Sequence, residues 1–197
     1  MPHPLGAAAL AAAQALYLFA PLLVSAALAG LVQRFDWLHA LRRPIDCGAT
    51  LRERRLFGDS KTWRGVVIAV VGSIGTVAAQ RALRAEVPAS LQVLDYGHAR
   101  SVWLGSAIGA GAMLGELPNS FVKRRLGLAS GSTTTGWPAA VFYLWDQLDL
   151  LTGAWPLLLV WLRPSALLVA MSLVVALALH PLVALIGYIV GARTSAR

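Results

Sequence analysis

Charge falls along this chain in blocks separated by long apolar runs. Between His3 and Arg34 no residue carries a fixed charge, a run longer than the roughly 20 residues an α-helix needs to cross a bilayer. A signal peptide would be cationic at its start and shorter in its apolar part, so the segment predicts a retained span. Uncharged runs follow at 65–80 and 101–115. Both are slightly short, but basic side chains at their ends can snorkel toward water. The stretch 150–162 supplies only about 20 Å of helix, too little for a hydrocarbon core about 30 Å thick. The fourth span is therefore expected to begin near Trp137 and to carry Asp146 and Asp149 inside it. The run 164–192 predicts a fifth, kinked at Pro181. The pattern reads as all-α: one polytopic membrane domain over 1–197, with spans at about 5–33, 65–80, 101–117, 137–162 and 164–192.

Composition sharpens this. Hydrophobic residues make up 57% of the chain and charged residues 13%, against about 45–50% and about 25% in soluble domains. That excludes both an ordinary soluble domain and a disordered chain. Lys and Arg number 17 against 9 Asp and Glu, for a net charge of +8. The basic residues alternate with the spans instead of forming one soluble face, so they predict membrane topology rather than nucleic-acid binding. Thirteen of them fall in the segment 34–64, at 123–125 and in the C-terminal tail. The positive-inside rule places that side in the cytoplasm, with the N-terminus outside, in a multi-pass protein of the plasma (inner) membrane. A single cysteine, Cys47, excludes an internal disulfide framework.

Three segments carry candidate chemistry. The first, PIDCGATLRERRLFGDSKTWRG at 44–65, packs two glycines, Asp59, Ser60, Lys61, Thr62 and Arg64 into its last eight residues. Lys61 and Arg64 would share a face if they lay on one helix. A helix opening with free N–H groups beside two cations suits phosphate. A plain basic membrane anchor is the competing explanation. The second, GELPNSFVKRRLG at 115–127, sets Glu116, Ser120 and Lys123 on one face if the helix continues past Pro118. Glu116 is then either half of an ion pair or a metal ligand beside a phosphate site. The third, WDQLDLLTGA at 145–154, puts Asp146 and Asp149 one helical turn apart. Carboxylates inside a span cost about 2.5–3.5 kcal/mol each on insertion scales, and these two repel. A bound Mg²⁺ would compensate them; a hydrated re-entrant loop would also tolerate them. His180, Ala184, Tyr188 and Gly191 form a further stripe, either packing or lining a polar cavity. The chain has fifteen Arg and only two Lys, Lys61 and Lys123, and both lie in these segments. Lysine is a compact point charge suited to a phosphate oxygen.

In this combination, order and spacing the segments 44–65, 115–127, DQLD with Gly153, and His180 with Tyr188 and Gly191 resemble the CDP-archaeol synthase family of membrane cytidylyltransferases. The resemblance implies a five-span enzyme that uses CTP as co-substrate and Mg²⁺ as cofactor. It would join CMP to an isoprenoid glycerol phosphate lipid, giving CDP-archaeol and pyrophosphate. By motif, Asp59, Lys61, Thr62 and Arg64 would belong to the nucleotide site. Ser120, Lys123, Arg124 and Arg125 would contact phosphates, and Glu116, Asp146 and Asp149 would hold metal. Lys61, Arg64, Lys123, Asp146 and Asp149 would carry catalysis. Other readings of the same residues are a phosphatidate cytidylyltransferase acting on an acyl glycerol phosphate, and a non-catalytic lipid-phosphate-binding membrane protein.

Overall fold

The computed structural model describes residues 4–94, 97–129 and 136–189. Five helices account for most of them: α1 (Pro4–Arg34), α2 (Trp63–Ala82), α3 (His98–Arg125), α4 (Trp137–Leu158) and α5 (Ala166–Ile189). The α1–α2 connection holds a two-stranded antiparallel hairpin, β1 (Thr50–Leu51) and β2 (Arg54–Arg55), with Thr50 opposite Arg55. The helices match the five expected spans, with two shifts. Helix α3 passes through Pro118 and continues to Arg125, eight residues past the expected end. Helix α4 stops at Leu158 rather than 162, two residues after its internal Pro156. Helix α5 continues through Pro181.

Local chemistry sets the helix starts. Thr62 is extended (φ −119°, ψ 155°) and its hydroxyl accepts from the Gly65 N–H, capping α2. Gly136 takes φ +76° before α4, whose first turn contains Pro138; only glycine enters that conformation without strain.

The core joins α1, α3 and α4 through Leu18, Leu104, Ile108 and Leu158, all almost fully buried. Phe19 meets Trp155 edge to face with centroids 5.3 Å apart, and the Trp155 indole N–H donates to Ser172 Oγ on α5 at 3.0 Å. Helix α3 is the central element, packed on α2 along one side and on α4 along the other. Its contact with α4 is backbone on backbone. A Cβ on Gly115 would collide with the Asp149 carbonyl oxygen, and one on Gly153 with the Gly111 carbonyl oxygen. Small residues let helices approach this closely, and packing in membranes depends on such approach.

By length and apolar composition, two helical segments among the described residues suffice to cross a membrane, Leu5–Arg34 and Trp63–Ala82; Ala166–Leu179 is a shorter apolar stretch. Helices α3 and α4 do not meet that measure, and each carries acidic residues within it. Yet all five helices present large apolar side chains outward, among them Leu28, Val71, Trp103, Leu144 and Val174.

Candidate functional site

The close crossing of α3 and α4 brings the acidic residues together. Asn119 lies one turn beyond Glu116 on α3, and its amide nitrogen donates to Asp146 Oδ1 at 2.6 Å and to Asp149 Oδ2 at 3.2 Å. Asp149 is buried at 6% exposure, with Glu116 and Asp146 both within electrostatic reach. Lys123 pairs with Asp146 and sits over the Phe142 ring, 5.4 Å from its centroid. Lys61, arriving from the α1–α2 connection, pairs with Glu116. The two lysines of the chain thus meet different members of the acidic cluster. Among the described residues, no group of three or more His, Cys, Asp or Glu is arranged as a ready metal cage. Asn119 instead bridges Asp146 and Asp149, and the lysines pair with Glu116 and Asp146.

The site closes one end of a cavity of about 1380 Å³. Its walls are mainly apolar residues of α1, α2, α3 and α5, such as Leu23, Val66, Met113 and Val175. Its polar part is made by Ser60, Lys61, Thr62, Glu116 and Gln147.

The other expected site residues are distributed differently. Helix α2 begins only at Trp63, so Lys61 and Arg64 do not share a helical face. Arg64 turns instead to Asp36 Oδ1 at 2.8 Å and the Trp37 carbonyl at 3.3 Å. The Arg64 hydrogen bond, with help from Arg42, holds the Asp36 carboxyl below its ordinary range. Thr62 spends its hydroxyl on the α2 cap. Asp59 is exposed and pairs with Arg55 at 2.7 Å. Ser120 is buried on the site side of α3. Arg124 donates to the Leu128 carbonyl. Arg125 reaches the hairpin, donating to the carbonyls of Leu51, Arg54 (2.9 Å) and Arg55 (2.6 Å). Both arginines therefore bind backbone oxygens. Tyr188 is exposed on α5; the His180 and Ala184 side chains and Gly191 lie outside the described residues, as does the C-terminal tail.

Two residues escaped the sequence reading. Asn119 shares the helical stripe of Glu116 and Lys123, a signal that was present but carried by a neutral side chain. Asp46 is fully enclosed. Burial opposes its charge, but the Arg55 guanidinium and the N–H groups of Phe57, Gly48 and Gly58 overcome that and bring its carboxyl down to about 2.

An all-helical bundle with paired acidic and basic groups at the end of an apolar cavity defines a class of enzyme that meets a charged substrate at a lipid boundary. Comparison with known proteins supports that class. A solved structure described as an intramembrane enzyme for archaeal membrane lipids biosynthesis superimposes with a TM-score of 0.59 at 26% identity, covering 84% of this chain and 89% of that one. The model of the CarS-like, CDP-archaeol synthase family matches residues 13–195, and the chain belongs to that family. The CDP-archaeol synthase of Methanoculleus marisnigri is 37% identical over 157 residues, 76% of this chain and 87% of that protein. That of Methanopyrus kandleri is 36% identical over 151 residues, 75% of each. The protein is thus a membrane enzyme, a cytidylyltransferase, and the reading as a non-catalytic lipid binder is set aside.

Proposed function

We propose that the enzyme transfers the cytidylyl group of CTP to the phosphate of an isoprenoid glycerol lipid at the α3–α4 crossing, releasing pyrophosphate. The observation that carries this reading is the pairing of Lys61 with Glu116 on the lining of the apolar cavity, directly beside the Asp149 and Asp146 carboxylates of α4. Lipid tails suit the apolar walls, and CTP reaches the polar end from water. The lipid phosphate is already ionised, so no protein nucleophile is required. Its oxygen attacks the α-phosphorus of CTP in line with the departing pyrophosphate. The chain's part is positioning and charge stabilisation. Lys61 and Lys123, now seated on Glu116 and Asp146, exchange those carboxylates for phosphate oxygens when substrate enters. Ser120, buried beside them, is a further phosphate donor.

The donor set fits Mg²⁺. Asp146 and Asp149 are hard oxygen ligands on one face, and the buried Asn119 Oδ1 beside them has no hydrogen-bond partner. Mg²⁺ is ordinarily held by one or two carboxylates plus waters and substrate phosphates, so a closed protein cage is not required. Asp146 and Asp149 would hold it, joined by Glu116 once Lys61 is drawn to a phosphate. When bound, the ion would neutralise charge on the phosphates and on the leaving pyrophosphate.

The outward apolar side chains on every helix support five membrane crossings. Exposed tryptophans lie toward both ends, with Trp37, Trp63 and Trp137 near the site and Trp103 and Trp161 opposite, as expected of interfacial belts. Together with the basic loops they support a multi-pass plasma-membrane protein with the site on the cytoplasmic side, N-terminus outside and C-terminus within.

The test is a pyrophosphate-release assay on purified protein with CTP or ATP, a panel of lipid phosphates, and Mg²⁺ or a chelator. Release is expected only with CTP, an isoprenoid glycerol phosphate and Mg²⁺. Undiminished release in chelator would remove the metal, and release with phosphatidic acid alone would replace the lipid.

A further inference from the structure

We propose that Asp46 is a positioning residue for the nucleotide site. It fixes the backbone that carries Lys61, and Arg125 anchors the same segment to α3. This rests on Lys61 serving CTP, as argued above.

The segment between α1 and α2 is long, and its only sheet is a hairpin with two residues in each strand. Loops of this length are uncommon in compact proteins unless functional, and ordering one costs roughly 1–2 kcal/mol of backbone entropy per residue. Specific bonds must therefore hold Lys61 in place, and four of those that order the segment converge on Asp46. Its Oδ2 accepts from the N–H groups of Phe57 (3.1 Å) and Gly58 (3.2 Å). Its Oδ1 accepts from the Gly48 N–H (3.1 Å) and from Arg55 Nη2 (2.6 Å). Its side chain is 0% exposed. With its acceptors filled and no route to solvent, Asp46 is no ligand for substrate or metal.

What it grips leads directly to Lys61. Gly58 turns the chain at φ +88°, three residues before the lysine. Lys61 and the two residues after it are paired with those just before Asp46. The Ile45 N–H donates to the Lys61 carbonyl at 2.8 Å, and the Trp63 N–H to the Arg43 carbonyl at 3.0 Å. Pro44 and Thr62 form a bridge between them. Asp46 thus holds one end of the stretch 57–61, and its neighbour Ile45 holds the other. Arg55 continues the chain of contacts. Its guanidinium is on Asp46 while its carbonyl receives Arg125 Nη2 from the end of α3. Arg54 returns a bond to the Arg125 carbonyl. Through these links Lys61 is set relative to α3, the helix that bears Glu116.

The experiment is a double-mutant cycle on the full-length enzyme, reading kcat/KM for CTP and KM for the lipid. Lys61→Ala alone is expected to lower kcat/KM for CTP by about 100-fold, and Asp46→Asn alone by about 10–100-fold, the usual range for residues that orient a ligand. The lipid KM should stay within about twofold in both. The double variant should be no worse than Lys61→Ala, because the second change acts through a side chain already removed. A residue that merely stabilised the fold would instead give additive losses and move both substrates together; that outcome overturns the proposal. So does an Asp46→Asn enzyme within about threefold of wild type for CTP. If Lys61→Ala itself behaves as wild type, the reading of Lys61 fails, and with it this one. Should Asp46→Asn not accumulate as folded protein, Arg125→Lys loosens the same loop from its other side and carries the cycle with the same expected readings.

Discussion

Asp46 and Asp149 are both buried carboxylates, and they solve the problem of burial in opposite ways. Asp46 has an arginine and three backbone N–H groups around its two oxygens. Asp149 has one amide hydrogen bond, from Asn119, and two more carboxylates nearby. The first environment is complete without anything added. The second sets three carboxylates against two lysines, which pair with Glu116 and Asp146 rather than with the buried Asp149, and leaves the Asn119 Oδ1 without a donor. Buried charge is tolerated only when compensated, and under the proposed function the α3–α4 site takes a further positive partner that the loop does not need.

That contrast can be broken most directly by neutralising each acid. Asp149→Asn should cost about 10³-fold or more in turnover, comparable to losing a principal transition-state charge contact, while its melting temperature stays equal or rises because repulsion is relieved. A fall in melting temperature with activity retained would make Asp149 a structural acid like Asp46. Next in size is Gly115→Val, which places a side chain against the Asp149 carbonyl. It should cost about 1–3 kcal/mol of stability by overpacking and about 100-fold in activity by moving Glu116 and Asn119 off their partners. Thermal melts and steady-state rates in detergent measure both.

The loop side of the contrast is tested by acid. The Asp46 carboxyl in the folded protein lies at about 2, below its ordinary 3.8, so the ionised form favours the ordered loop. That stabilisation is complete above about pH 4 and is lost as pH falls toward 2. Pepsin cleavage between residues 47 and 60 should therefore rise as pH drops through this window in the wild type. In Asp46→Asn it should be high throughout. A flat wild-type profile would remove the charge from the loop's stability. The smallest effect belongs to Arg64. Seated on Asp36, Arg64→Ala should change kcat/KM for CTP by less than about threefold, against about 100-fold for Lys61→Ala. Equal losses would return Arg64 to the nucleotide site.

The helices were legible because uncharged runs bounded by basic residues are a coarse and strong signal. The nearness of Asp146 and Asp149 was legible from their spacing on one helix, and the lysines from their rarity. What stayed hidden is set by tertiary contact. Lys61 and Arg64 are three apart in sequence, but Thr62 caps the helix between them and sends their side chains to different partners. The run Lys123, Arg124, Arg125 reads as three equal cations. The helix turns them to different partners, so only Lys123 meets a carboxylate while the arginines take backbone carbonyls. Asp46 was invisible as a focus because its donors, Phe57 and Gly58, act through N–H groups that every residue but proline possesses.

The crossing at Gly115 and Gly153 sets the width of the proposed reaction centre by the thickness of two bare peptide units. Such a gauge has no rotamers to populate, so warming or a change of lipid cannot retune it by degrees. Adapting this enzyme to a bulkier phosphate carrier would have to proceed by reshaping the walls around that gap, leaving the gap itself at a fixed calibre.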